Sequence, residues 1–329
     1  MTTSEVKVNQ AIATEKVEEC PLCQRRGLNY YRDLTDRLNN SEGEWSFIKC
    51  DTCGILWLNP RPLSSELSKI YQNYFTHEEI SPYIKEGGEK NRIEKILKEF
   101  LLPRRRYELT NSKTMFLGKK KPGKLLDIGC GNGSFLAGMR DLGWDVVGLE
   151  PDKKAAQIAE KQFQLKVYSD TLENLNLGSE LFDAITLSHV LEHVINPRDV
   201  LSRCHSLLKS EGLLSITTPN INSFGHQRFK EFWYGLEPPR HFVLFNRNGL
   251  EKLLIDTGFE IKESVTFSRM ASGIYRLSND IRRSFPGISR YKNMWSDNLK
   301  RMIFVAVEYW INYLDEEKGE EIGILAQKI

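Results

Sequence analysis

The chain has no apolar run long enough to cross a bilayer. Its longest apolar stretch, residues 302–314, is interrupted by Glu308 and Asn312, whereas a spanning helix needs about 20 predominantly apolar residues. A buried helix is expected there instead. The first 19 residues, MTTSEVKVNQAIATEKVEE, lack the basic start and apolar centre of a secretory signal, so no export is expected. Charge of one sign is also missing: 46 Lys and Arg stand against 44 Asp and Glu. No field that seeks a polyanion is therefore written into the composition, and nucleic acid is not the expected partner. Repeats and low-complexity tracts are absent, which excludes solenoid, disordered and fibrous architectures. Cysteine is scarce, with six in 329 residues. Four of the six fall in two close pairs, which argues for a reducing cytoplasm over a disulfide framework.

Those pairs are Cys20-Pro21-Leu22-Cys23 and Cys50-Asp51-Thr52-Cys53, separated by 26 residues. Each C-x-x-C knuckle has the short bite that suits tetrahedral zinc, and four thiolates leave the ion no open position, so the role expected is structural. A redox dithiol is the competing reading, but a second matching pair favours metal. Residues 1–62 are read as a polar tail and this module. Cys130 and Cys204 stand outside the set and read as small packing residues.

Residues 63–122 carry helix-spaced apolar positions, among them Leu67, Ile70, Tyr71, Tyr74, Ile93, Ile96, Leu97 and Phe100, and read as a helical linker or lid region. From 123 to 329 strands and helices alternate, the pattern of an α/β doubly wound, Rossmann-like, mostly parallel sheet with helices on both faces. Strands are predicted at 124–128, 145–149, 166–168, 184–188, 213–217, 260–266 and 322–327, the last one antiparallel. A helix is predicted at 249–257, and residues 268–319 read as a helical insertion, too long for a hairpin and too apolar for a linker.

The most specific signal is Leu125-Leu126-Asp127-Ile128-Gly129-Cys130-Gly131-Asn132-Gly133, an apolar strand running into closely spaced glycines. Glycine there lets the backbone turn tightly and approach a ligand. The spacing differs from the G-x-G-x-x-G of pyrophosphate-binding loops. Glu150 ends the next strand, about twenty residues on, where a carboxylate accepts both hydroxyls of a ribose. Ribose recognition without a diphosphate site fits S-adenosylmethionine.

With these residues in hand, DIGCGNG, GLEPD, FDAITLSHVLEHV and GLLSITTPN resemble the successive motifs of class I S-adenosylmethionine-dependent methyltransferases, over roughly residues 123–259. The resemblance implies a cofactor site of Asp127, Gly129, Gly131, Gly133, Glu150 and Pro151. Asp170, Thr171 and Leu172 follow the third strand beside the adenine, and Ser188 and His189 line cofactor and acceptor.

Methyl transfer from a sulfonium is an in-line displacement that needs alignment and, for a hydroxyl acceptor, removal of a proton. Of the histidines at 77, 189, 193, 205, 226 and 241, His241 is the expected general base, with His189 also in the catalytic set. His193 and His205 are assigned to packing, and His77 lies far from the sheet in sequence. The aromatic, Pro-rich loop 224–245 is expected to be an acceptor-facing lid with Arg240 as a charge contact. TPNINSFGHQRF and WYGLEPPRHFVLF, together with the cysteine module, resemble methyltransferases of polysaccharide, lipid-linked glycan and natural-product biosynthesis. That implies a small-molecule acceptor, a hydroxyl on a sugar or lipid-linked glycan. Residues 302–314 would also suit a homodimer contact. Two other readings are an RNA methyltransferase, against which stand the neutral charge and Ser188-His189-Val190-Leu191 in place of an Asn-Pro-Pro-Tyr motif, and a noncatalytic cofactor-binding interaction protein.

Overall fold

The computed structural model describes residues 12–38, 41–71, 102–175, 177–285 and 294–329. The predicted positions Tyr74, Ile93, Ile96, Leu97 and Phe100, and His77, lie outside the described residues. Of the helices expected over 63–122, the described residues show Leu67–Ile70 and Arg105–Thr114.

Short runs that are apolar throughout need cover on both faces, and this is how the central sheet is built. Numbering strands along the chain, β1 (Thr14–Glu15), β2 (Gly27–Leu34), β3 (Trp45–Cys50), β4 (Leu56–Leu58) and β5 (Arg61–Pro62) belong to the N-terminal part. Next come β6 (Lys124–Ile128), β7 (Asp145–Leu149), β8 (Lys166–Tyr168), β9 (Phe182–Ser188), β10 (Leu208–Pro219), β11 (Val243–Leu244), β12 (Phe259–Phe267) and β13 (Glu321–Lys328). The seven-stranded sheet has the order β12-β13-β10-β9-β6-β7-β8. Strands β10, β9, β6, β7 and β8 pair in parallel. β13 enters antiparallel between β10 and β12, so the last strand closes the sheet as expected.

Helices Ser134–Asp141, Lys153–Phe163 and Pro197–Leu207 are the crossovers. Asp152 starts the second, its carboxylate accepting from the backbone N–H groups of Lys154 and Ala155, the usual answer to unpaired donors in a first turn. The insertion is helical, with Ala271–Ser284 packed against Met294–Leu314. No helix among the described residues is long and apolar enough to cross a membrane.

β11 has no counterpart among the strands predicted from the sequence. This two-residue strand lies in the loop expected to be a lid, and it adds to the N-terminal sheet, whose order is β11-β4-β3-β2. Val243 pairs with Trp57 and Leu244 with Leu56. The buried residues Trp45, Phe47 and Trp57 share one apolar core with Trp233, Phe242 and Phe245. The cysteine module is thereby fused to the part of the chain that follows β10.

Candidate active site

All the parallel strands point their carboxyl ends to one edge, where open α/β sheets place ligands. At the β6 end, Gly129, Gly131 and Gly133 each have positive φ, 70°, 53° and 80°. A Cβ at Gly129 would sit 2.5 Å from Val190 Cγ2, and one at Gly133 2.7 Å from Ala159 Cβ. These two glycines let the loop pack on its neighbours. Gly131 differs, since a Cβ there would meet nothing within 4 Å. Its outer side is open space, as a ligand cradle requires.

Glu150 is 4% exposed at the end of β7. Its Oε2 accepts from the Gly131 N–H at 2.9 Å and its Oε1 from the Asp152 N–H at 2.9 Å. Burial raises its pKa, while the two backbone donors oppose that shift. The carboxylate is thus held in place beside the loop with acceptor capacity to spare for two sugar hydroxyls. Asp127 lies beneath, buried, with Thr186 Oγ1 donating to it at 2.6 Å. Burial pushes its pKa up to about 7. It supports the loop from below. Pro151 is exposed beyond Glu150 and Leu172 is buried under the β8 turn. Asp170 accepts from Thr171 N–H and Asn174 Nδ2, and these bonds hold its carboxyl below the usual range.

Val190 links this loop to the β9 end, where the ionisable side chains of His189, Glu192, His193, His241 and Glu321 converge. Ser188 shares a hydrogen bond with Thr217. His189 is in the left-handed region, φ 54°, a strained setting for a residue with a Cβ. Its Nε2 lies 2.6 Å from Glu321 Oε1 and its Nδ1 3.3 Å from Glu192 Oε1. Burial works to lower the His189 pKa, but the hydrogen bonds to Glu192 and Glu321 prevail and lift it to about 10. The two carboxylates thus favour its charged form.

Glu192 is fully buried and also accepts from Thr218 Oγ1 at 2.9 Å. Burial opposes its ionisation, yet the His189 contact holds its pKa down at about 2. His193 and His241 pack edge to face with ring centroids 4.6 Å apart. One ligand atom from each of Glu192, His193 and His241 falls within 4.8 Å of the others. Burial lowers both imidazoles to about 4, so they are neutral. His193 is not the helix-packing residue expected. It sits in the Leu191–His193 turn, with Nδ1 within 3.1 Å of both Tyr71 Oη and the Arg240 carbonyl. In His241, Nδ1 lies 2.8 Å from the Gly235 carbonyl, which fixes the proton on that nitrogen and leaves the lone pair on Nε2, 3.7 Å from Glu237 Oε2.

The lid expectation does not hold. Trp233, Arg240, Phe242 and Phe245 are no more than 1% exposed. Arg240 donates to both Asp36 oxygens at 2.7 and 2.8 Å and to Glu237 Oε1 at 2.9 Å. A guanidinium spent on two buried carboxylates is not a contact for an acceptor. Phe242 N–H donates to the Glu192 carbonyl while the Phe242 carbonyl accepts from Leu58 N–H. One residue thus joins the site to the N-terminal sheet.

In that sheet the four cysteine sulfurs converge. Sγ separations are 3.5 Å for Cys20 and Cys53, 3.4 Å for Cys23 and Cys50, and 3.7 Å for Cys23 and Cys53. A tetrahedral ion with bonds of about 2.3 Å sets its sulfurs about 3.8 Å apart, so the quartet fits zinc. Cys130 instead packs on Gly148, and Cys204 is buried in its helix. His205 packs on Phe259, and His226 bonds Tyr31 and the Ile221 carbonyl.

Residues 102–264 match the family model of a methyltransferase domain. The mitochondrial ubiquinone biosynthesis O-methyltransferase of Rattus norvegicus is 39% identical over 107 residues, covering 30% of this chain and 31% of its own. The ubiquinone biosynthesis O-methyltransferase of Glaesserella parasuis is 37% identical over 120 residues, covering 33% of this chain and 50% of its own. The match thus spans about a third to a half of the length of these relatives. A solved SAM-dependent methyltransferase from Archaeoglobus fulgidus aligns with 72% of this chain and 100% of its own, with 19% identity and a TM-score of 0.45. The chain carries a class I S-adenosylmethionine-dependent methyltransferase domain.

Proposed function

We propose that the protein transfers the methyl group of S-adenosylmethionine to a hydroxyl of a small-molecule acceptor. The observation that carries this reading is the joint between Gly131 and Glu150: an open-sided glycine whose N–H orients a buried carboxylate at the next strand end. Glu150 would hold the ribose hydroxyls, Gly129, Gly131 and Gly133 would let the methionine part approach the backbone, and Asp170 to Leu172 would lie along the adenine. When bound, the cofactor supplies a methyl carbon activated by a positive sulfur.

The names of the relatives support an oxygen acceptor, and they point to ubiquinone biosynthesis. The hydroxyl of the sugar-based expectation therefore carries over, and its sugar does not. His241 is the base in this reading. Its Nε2 is unprotonated, and a proton arriving there meets the carboxylate of Glu237. His189, already charged, would instead fix the acceptor side of the pocket through its two carboxylates and Arg269. The four cysteines would hold a structural zinc, and the contacts of Phe242, Asn246 and Arg240 would carry the rigidity of that knot to His241.

The test is a transfer assay with methyl-labelled S-adenosylmethionine against a panel of catechols, other phenols and sugars. Label on a hydroxyl oxygen of any member supports the reading. Label only on nitrogen or carbon, or cofactor binding without turnover of any member, removes it.

A further inference from the structure

The helix Met294–Leu314 is turned the opposite way from an ordinary surface helix, which hides its apolar stripe and shows its charges. Its inner side carries Glu308 and Asn312, which are 0% and 3% exposed, beside Phe304 and Tyr309. Its outer side carries Leu299, Met302, Ile303, Val307, Trp310, Tyr313 and Leu314, between 39% and 79% exposed. The inner polar residues are tied to the fold. Asn312 Nδ2 donates to the Thr266 carbonyl, Thr266 Oγ1 donates to Asn312 Oδ1, and Phe304 packs on Phe224, Phe229 and Tyr275. The helix therefore cannot rotate to bury its apolar side.

From this face we infer that the protein forms a homodimer through the helix Met294–Leu314, paired antiparallel with the same helix of a second copy. Leu299, Ile303, Ala306, Trp310 and Tyr313 recur at spacings of four, three, four and three, the seam along which two helices interlock. A twofold axis at Ala306 makes the patch complementary to itself, as an isologous interface requires. It sets Leu299 against the partner's Tyr313 and Ile303 against the partner's Trp310, with the smallest side chain where the helices are closest.

The area also suits a second copy. Taking roughly 200 Å² for a large apolar side chain, the seven exposed ones offer on the order of 800 Å², which is about what each partner gives to a stable interface. Charge argues against a bilayer as the occupant, because an interfacial helix brings basic residues to meet anionic lipid. Among the described residues of this helix Lys300 borders the face, while Arg283 of the neighbouring helix is spent on Asp297 at 2.8 Å.

Sedimentation equilibrium of the full chain tests the inference, with Ile303→Glu as the disrupting variant and Ala306→Cys as the cross-linking one. The wild type is expected at twice the 38.1 kDa chain mass, and Ile303→Glu at the single mass with an unchanged circular dichroism spectrum. Oxidised Ala306→Cys is expected to form a covalent dimer that neither the wild type nor Lys300→Cys forms. A monomeric wild type at tens of micromolar, or a dimer that survives Ile303→Glu without cross-linking at position 306, overturns it. If the monomer then floats with vesicles of phosphatidylglycerol and phosphatidylethanolamine, the face belongs to a bilayer instead.

Discussion

The glycine loop and the histidine cluster lie on the same sheet edge, joined by the contact of Gly129 with Val190, yet they are assembled differently. Glu150 and the Gly131 N–H that orients it are 19 residues apart, and Asp152 is two residues from Glu150. At the other end, His189 meets Glu321 across 132 positions, Tyr71 meets His193 across 122, and Arg240 meets Asp36 across 204. The cofactor end is a property of one strand, one loop and the next strand. The acceptor end exists only once the N-terminal module, the loop after β10 and the closing strand have come together. Substitutions should separate the two ends: those at the first act on binding alone, and those at the second act on turnover and stability.

The largest effect is expected at the base. His241→Gln should lower turnover by about 10²- to 10⁴-fold, the usual contribution of a positioned base, while leaving S-adenosylmethionine affinity unchanged. Titration and rate measurements on one preparation check both halves. Equal loss of affinity and rate would erase the division between the two ends.

Next in size is the ion pair that ties the module to the site. Asp36→Ala leaves the buried Arg240 short of its principal partner, and breaking a buried pair from one side costs about 3–5 kcal/mol. Denaturant melts should show this loss in the whole protein, because module and domain share one core. A variant that destabilises only the N-terminal part, seen as two transitions, would contradict that continuity. Stripping metal with a chelator is expected to act in the same direction, read as a lower melting temperature that added zinc restores.

How much of this was legible follows from the same contrast. The order of strands and crossovers, the helical insertion and the glycine loop with Glu150 were readable, because period, turn chemistry and spacing are local. β11 was not, since Val243-Leu244 is too short for a period and is a strand only because Leu56 and Trp57 offer it an edge. The lid expectation for residues 224–245 failed for the same reason. Aromatic residues beside Arg240 look like a ligand surface until Asp36 and the module core supply their cover. The partners of His189 were not visible either, because Glu321 lies in the last strand, 132 positions away. The paired C-x-x-C knuckles were visible, but their attachment to His241 through Phe242 was not.

Two smaller effects are expected at His189 and Asp170. Because the folded-state pKa of His189 is raised to about 10 from an ordinary value of about 6.5, its contribution to stability is full below pH of about 6.5 and is lost as pH rises through about 10. His189→Gln should flatten the fall in stability across that window, and an NMR titration of the wild-type ring should show no deprotonation near neutrality. A midpoint near the ordinary value of about 6.5 would contradict the pull of the two carboxylates. At the cofactor end, Asp170→Ala should shift S-adenosylmethionine affinity no more than a few-fold, since its carboxylate already serves Thr171 and Asn174 at the surface.

Calorimetric titration of the purified, metal-analysed protein with S-adenosylmethionine and S-adenosylhomocysteine, with Glu150→Ala alongside, decides whether the Gly131–Glu150 joint holds the cofactor. Two charge-assisted hydrogen bonds to a ribose, each worth about 1.5–3 kcal/mol, predict micromolar binding to the wild type and about 10²- to 10⁴-fold weaker binding to the variant. No binding of either ligand to the wild type, or equal affinity in Glu150→Ala, would contradict the account.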